Sequence, residues 1–180
     1  MYILPIAPLT ICVSSLSQAT AKELYAIIDS AIARLPSVCC EVLGGQAVIG
    51  ALTELDIESA LVLARSHQSD LRAGPIAISY PNFPYPLEPY YRVVVTSPED
   101  FVGDVVGDLN RRAGRIEAMN HLDGSVTVKC AVPIATMLGY DAAIARMTKG
   151  RGKAEYAFIG YDRRRPEPEL PLPPAIAERA

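Results

Sequence analysis

The 180-residue sequence contains no G-x-x-x-x-G-K-[ST] loop and no G-x-G-x-x-G turn. Neither of the common backbone cradles for nucleotide phosphates is therefore expected. Histidine occurs only twice, as His67 and His121, and the four cysteines (Cys12, Cys39, Cys40 and Cys130) include no C-x-x-C pair. A metal site is not expected from such spacing. Neighbouring Cys39 and Cys40 would point to opposite faces of a strand, and the cysteines read as reduced structural thiols. No run approaches the ~18 apolar residues of a membrane span. The apolar segment 1–12 has no basic leader and is interrupted by Pro5 and Pro8, so it does not read as a signal peptide. These absences point to a cytoplasmic chain with no cofactor, no metal and no membrane partner.

Half of the chain is hydrophobic, enough for a packed core. The length suits one ordinary domain or two small ones. The net charge of −3 is unevenly spread: residues 1–87 carry four basic and seven acidic side chains, 88–165 twelve and ten, and 166–180 one and three. The basic excess of the second half is too small by itself to announce nucleic-acid binding, and no DNA partner is expected.

Apolar periodicity changes along the chain in a repeating order. Residues 8–16, PLTICVSSL, read as a strand. Leu24, Ile27, Ile28, Ala31, Ile32 and Leu35 then mark one face of a helix over 18–36, stopped by Pro36. Runs 38–43 and 46–52 flank Gly44-Gly45, a hairpin signal. Residues 54–68 return to helical composition, and 76–80 form a last strand. Residues 81–89, PNFPYPLEP, hold four prolines and read as a stiff connection. The order then recurs. Residues 90–96 read as a strand, and Ser97-Pro98-Glu99-Asp100 as the start of a helix with Ser97 as N-cap and Pro98 at its first position. Phe101, Val102, Val105, Val106 and Leu109 form its inner face, contributing about 10 kcal/mol of burial before entropy is subtracted. Gly114 is expected as a left-handed cap. Residues 115–119 and 125–133 form a hairpin around Asp123-Gly124, 136–148 a helix, and 153–161 a strand. The tail 165–180 is rich in proline and reads as extended or disordered.

The fold expected is α+β: two tandem ferredoxin-like βαββαβ sandwiches with antiparallel sheets. The units span 1–80 and 90–164, joined by the 81–89 linker. No catalytic constellation is evident. His67 and His121 read as surface residues. Glu54 and Glu58, one turn apart, read as an exposed helix face.

Residues 104–116, DVVGDLNRRAGRI, and 132–151, VPIATMLGYDAAIARMTKGR, resemble the fifth domain of the elongation factor G family. That family carries G-D-L-N-R-R-x-G-x-I and V-P-x-x-x-x-[FL]-G-Y segments, the second leading through a helix to T-x-G-R. LEPYYRVVV at 87–95 is similar to its L-E-P-x-x-x-V-x-V. The first half resembles the family's third domain through element order, through Glu54-Leu55-Asp56-Ile57-Glu58 and through AGPIAISY at 73–80. Asp56 stands where that family has His, Ala51 and Thr53 where it has Gly, Leu138 where it has Phe, and Lys149 where it has Gln. The resemblance implies third- and fifth-domain-like units joined directly, without the family's GTP-binding, second or fourth domains. It also implies a non-enzymatic partner of the large ribosomal subunit, through rRNA and stalk-base protein, or of a translation factor. Arg111, Arg112, Arg115, Lys149, Arg151 and Lys153 are the residues expected to meet rRNA, since phosphate contact needs positive charge within reach. The alternative expectation is a protein-interaction module, a dimeriser or ligand binder, that has lost any ribosome role.

Overall fold

Two antiparallel four-stranded sheets, each with two helices on one face, make up the computed structural model, which describes residues 7–17, 19–81 and 86–163. The first unit runs β1 (Leu9–Ser15), α1 (Ala21–Ile32), β2 (Val38–Leu43), β3 (Gln46–Ala51), α2 (Glu54–His67) and β4 (Leu71–Ile78). The second runs β5 (Leu87–Pro98), α3 (Val102–Arg111), β6 (Arg115–Leu122), β7 (Ser125–Pro133), α4 (Tyr140–Met147) and β8 (Lys153–Arg163), with single 3-10 turns leading into α3 and α4. Strand orders β2-β3-β1-β4 and β6-β7-β5-β8 are the same topology twice. This is the tandem ferredoxin-like βαββαβ arrangement. Residues 82–85 of the proline-rich connection, and the tail from 164 onward, lie outside the described residues. On either side of 82–85, the Leu87 amide donates to the Pro81 carbonyl at 2.9 Å.

Local sequence explains most elements. Both hairpins close in two residues with positive φ, Gly44 and Gly45 at 55° and 78°, Asp123 and Gly124 at 48° and 73°. That backbone matches the strand twist. Helix α1 begins in a capping box: Thr20 Oγ1 accepts from the Glu23 amide, and the Glu23 carboxylate accepts from the Thr20 amide at 2.7 Å. Helix α2 does the same with Thr53 and Asp56, and Ser37 adds a hydroxyl to Asp56 Oδ1 at 2.6 Å. Asp56 thus has a local task at the position where the resembled family has histidine. Leu24, Ile28 and Ile32 of α1 and Ile57, Ala60, Leu61 and Ala64 of α2 cover one face of the first sheet. Val105 and Leu109 of α3 and Tyr140, Ala143 and Ile144 of α4 cover the second.

Several boundaries differ from the sequence reading. Ser97 is not an N-cap: β5 runs on through Pro98, paired Ser97 to Val126 and Pro98 to Ser125, and the Ser97 side chain is buried without a hydrogen-bond partner. Phe101 is the N-cap of α3 and makes no side-chain cap. Gly114 is not the left-handed residue. Ala113 takes that conformation at φ 60°, while the Gly114 amide closes on Leu109 O at 2.9 Å and the Ala113 amide on Asn110 O at 3.1 Å. This is a Schellman ending. Gly114 is needed for space: a Cβ there would lie 2.6 Å from Cys130 Sγ and 2.7 Å from the Leu109 carbonyl oxygen. Strand β4 begins at Leu71, because Gly74-Pro75 form a bulge between Ala73 and Ile76 on an edge strand rather than ending it. Helix α4 is shorter than 136–148, its N-cap Gly139 being left-handed at φ 69°.

Candidate functional site

Of the six cationic residues singled out from the sequence, three sit where α3 ends and β6 begins. Arg112 is fixed in place. Its Nε donates to Asp108 Oδ2 at 2.7 Å, Nη1 donates to the Thr136 carbonyl, and its guanidinium lies 4.9 Å from the centre of the Tyr140 ring. Thr136 returns the contact, its hydroxyl donating to Arg112 O at 2.8 Å. Arg112 therefore ties the end of α3 to the start of α4. Arg111 also pairs with Asp108, at 3.1 Å, but its side chain is 71% exposed against 24% for Arg112. Burial works to raise the Asp108 carboxyl, yet the hydrogen bonds and charges of Arg112 and Arg111 outweigh it and hold that group below its ordinary value. Arg115 is exposed at the start of β6.

Lys149, Arg151 and Lys153 sit at the other end of the unit. Lys149 follows α4 in a left-handed conformation, φ 54°, and the Gly150 amide closes on Ala145 O at 2.7 Å. Arg151 lies 4.7 Å over the Phe101 ring, at the start of α3. Because Arg112 reaches the beginning of α4 and Arg151 the beginning of α3, the two helix ends point in opposite directions. The sheet register agrees. Arg115 aligns through Ala131 with Arg92, whereas Lys153 aligns with Thr96 four residues further along β5, on the opposite edge strand. The structure thus brings the six together as two groups of three, not as one surface.

A feature the sequence reading missed lies between the units: a cleft of about 650 Å³. One wall is the N-terminal end of α2 with Leu52 and Thr53, and the other is β8 with Tyr91 and Met137. Two hydrogen bonds cross it. Tyr91 Oη donates to Leu52 O at 2.7 Å, and the Gly139 amide donates to Glu54 Oε2 at 2.8 Å. Tyr156 packs on Tyr91, ring centres 5.5 Å apart, and donates to Asp141 Oδ1 at 2.7 Å. Burial first, then that Asp141 bond and the nearby carboxylates, push the Tyr156 phenol well above its ordinary value; burial and the Glu54 and Asp56 charges do the same to Tyr91. A partial signal was present in the sequence. Alternation puts Tyr91 on the core side with Val93 and Val95, and a buried Tyr hydroxyl needs a partner. That the partner would be Leu52, 39 residues away, was not legible.

Among the described residues, no group of three or more His, Cys, Asp or Glu is arranged to hold a metal ion, and no helix is long and apolar enough to cross a membrane. Residues 86–169 match the family model of the elongation factor G C-terminus. The second unit is thus similar in sequence to the elongation factor G C-terminus. The crystal structure of ttk003000868 from Thermus thermophilus is similar over 89% of this chain, with a TM-score of 0.54 and 16% identity. This chain spans 41% of the length of that one. At that identity the likeness is one of fold, and it extends across both units. The G-D-L-N-R-R and L-G-Y segments of the matched region are those that build the Arg112 brace: Asp108, Arg111 and Arg112 come from the first, Tyr140 from the second.

Proposed function

We propose that the chain is a non-catalytic, cytoplasmic, translation-factor-related module that docks on the factor-binding region of the large ribosomal subunit, touching rRNA and stalk-base protein, or on a translation factor bound there. In this reading the first unit is third-domain-like and the second fifth-domain-like. The observation that carries it is the match of residues 86–169 to the elongation factor G C-terminus. The geometry supports two phosphate contacts rather than one. Arg111 and Arg115, with Arg112 as an internal brace, form the first; Lys149, Arg151 and Lys153 form the second. The ten residues of α3 set the two about 15 Å apart, so each group meets a different stretch of RNA backbone. Arg suits such contact because it can grip a phosphate in two places.

Co-sedimentation with purified large subunits across a salt series tests this. Arg111→Glu with Arg115→Glu, and Lys149→Glu with Lys153→Glu, are each expected to weaken binding by more than about tenfold. Each lost phosphate contact should flatten the log–log salt dependence by about 0.7–0.9. Arg112 is left intact because its removal disturbs the helix contact. Full-strength binding by both double variants would reject the two-contact reading, and no binding by the unaltered chain at low salt would reject the ribosome reading altogether.

A further inference from the structure

The cleft between the units is bordered by five successive residues of β8, numbers 154–158. Successive side chains of a strand point to opposite faces. Five in a row along one cleft means that the cleft follows the strand's edge rather than one face of the sheet. β8 is an end strand, with only β5 beside it, and residues 154–158 make no backbone hydrogen bond outside that ladder among the described residues. About 17 Å of strand edge is therefore presented along the cleft, with amide and carbonyl groups available for pairing. The apolar lining includes Leu52, Tyr91, Met137, Tyr156 and Phe158. The charged lining is all of one sign: Glu54, Asp56, Asp141 and Glu155. None of these four pairs with a Lys, Arg or His among the described residues. Asp56 is committed to the α2 cap and Ser37, but Glu54 and Asp141 each use one oxygen on Gly139 and Tyr156, leaving the other.

We propose that this cleft binds an extended, basic peptide segment of a partner protein, which adds as a fifth strand on the free edge of β8 and sets lysine or arginine side chains of one face against Glu54 and Asp141. The cleft volume falls in the range of ligand-binding sites, and edge pairing supplies affinity while side-chain positions supply selectivity. Other occupants fit less well. Nucleic acid would place phosphates against four carboxylates. A second copy of this chain, pairing edge to edge, would bring the same carboxylates opposite one another. A compact apolar ligand would cover the amide and carbonyl groups of the edge without pairing them. The reading is independent of the phosphate contacts described above, which lie on other residues.

The test uses the full chain and a labelled heptapeptide, acetylated and amidated, that alternates lysine with valine. Fluorescence anisotropy gives the affinity, and amide shifts in a nitrogen-15 spectrum give the location. Expected are saturable binding and shifts centred on 53–56 and 154–158. A peptide methylated on alternate backbone nitrogens, tried in both phases, should lose at least about tenfold in affinity in one of them. The variant Glu54→Gln, Asp141→Asn should lose as much, while its side-chain amide oxygens still accept from Gly139 and Tyr156 and its melting temperature stays near that of the parent. If that variant does not fold, the methylated peptides on the unaltered protein decide alone. The proposal is overturned by absence of binding, by indifference to methylation in both phases, by equal binding of a glutamate–valine peptide, or by a dimer in sedimentation that the peptide dissociates.

Discussion

Asp108 carries more of the second unit's order than its exposed neighbours do. It receives Arg111 and Arg112, and through Arg112 it holds Thr136 and Tyr140 at the start of the next helix. Removing its charge leaves Arg112 partly buried and without its counterion, a change on the order of 1–3 kcal/mol. Asp108→Asn should therefore lower the melting temperature at pH 7. The pH dependence follows from the depressed carboxyl. A folded-state value below the unfolded one contributes stability that is present above about pH 4 and is lost as pH falls through the folded value. The difference in melting temperature between parent and Asp108→Asn should thus shrink below about pH 4; a constant difference on further acidification would contradict the role given to Asp108. Arg111→Ala, at an exposed site, should cost under about 0.5 kcal/mol, which separates a surface contact from the Arg112 brace.

At the scale of elements, the end of α3 gives a pair of opposite expectations. Gly114→Ala sets a Cβ against backbone at 2.7 Å and should destabilise by about 1–3 kcal/mol. Ala113→Gly removes a side chain from a left-handed position and should be neutral or stabilise by up to about 1 kcal/mol. Chemical denaturation of the two variants checks both, and a larger loss at 113 than at 114 would be the wrong sign. The same helix end shows what the sequence could and could not tell. That the helix stops before Gly114 was legible from Ala113-Gly114. Which of the two takes the left-handed turn was not, because the bar to a Cβ at 114 is set by Cys130 Sγ on another strand and by the Leu109 carbonyl. Ser97 failed as an N-cap for a related reason: Ser-Pro-Glu-Asp is a good local helix start, but the pairing of Ser97 and Pro98 with β7 prevails. The period changes that defined strand and helix survived because each reports a one-sided burial that the sandwich needs. Gly74-Pro75 misled because a bulge on an edge strand tolerates what a central strand would not.

At the scale of the whole chain, the hydrogen bonds of Tyr91 to Leu52 and of Gly139 to Glu54 join the two units. Tyr91→Phe removes the bond to Leu52 O and should cost about 0.5–1.5 kcal/mol, read as faster exchange of amides at 52–56 with little change in the β5–β7 ladder. Equal loosening of both regions would mean that the units do not open separately. The six cations lie at or just beyond the ends of two helices in the sequence. Antiparallel helices send those ends apart, a consequence of topology that charge spacing does not carry. The cleft was hidden for the same reason, being lined by residues from Ser37 to Phe158 that lie far apart in the chain. With no phosphate loop in the sequence, calorimetry with GTP and Mg²⁺ should show no binding at micromolar concentrations; a tight, stoichiometric signal would contradict a non-catalytic role. Seating on the large ribosomal subunit through the second unit is the proposed role that most needs a test. Hydroxyl-radical footprinting of large-subunit rRNA, with and without the unaltered chain at low salt, tests it most directly. Protection confined to the stalk-base region and lost as salt rises is expected, and an unchanged cleavage pattern at saturating protein would refute ribosome docking.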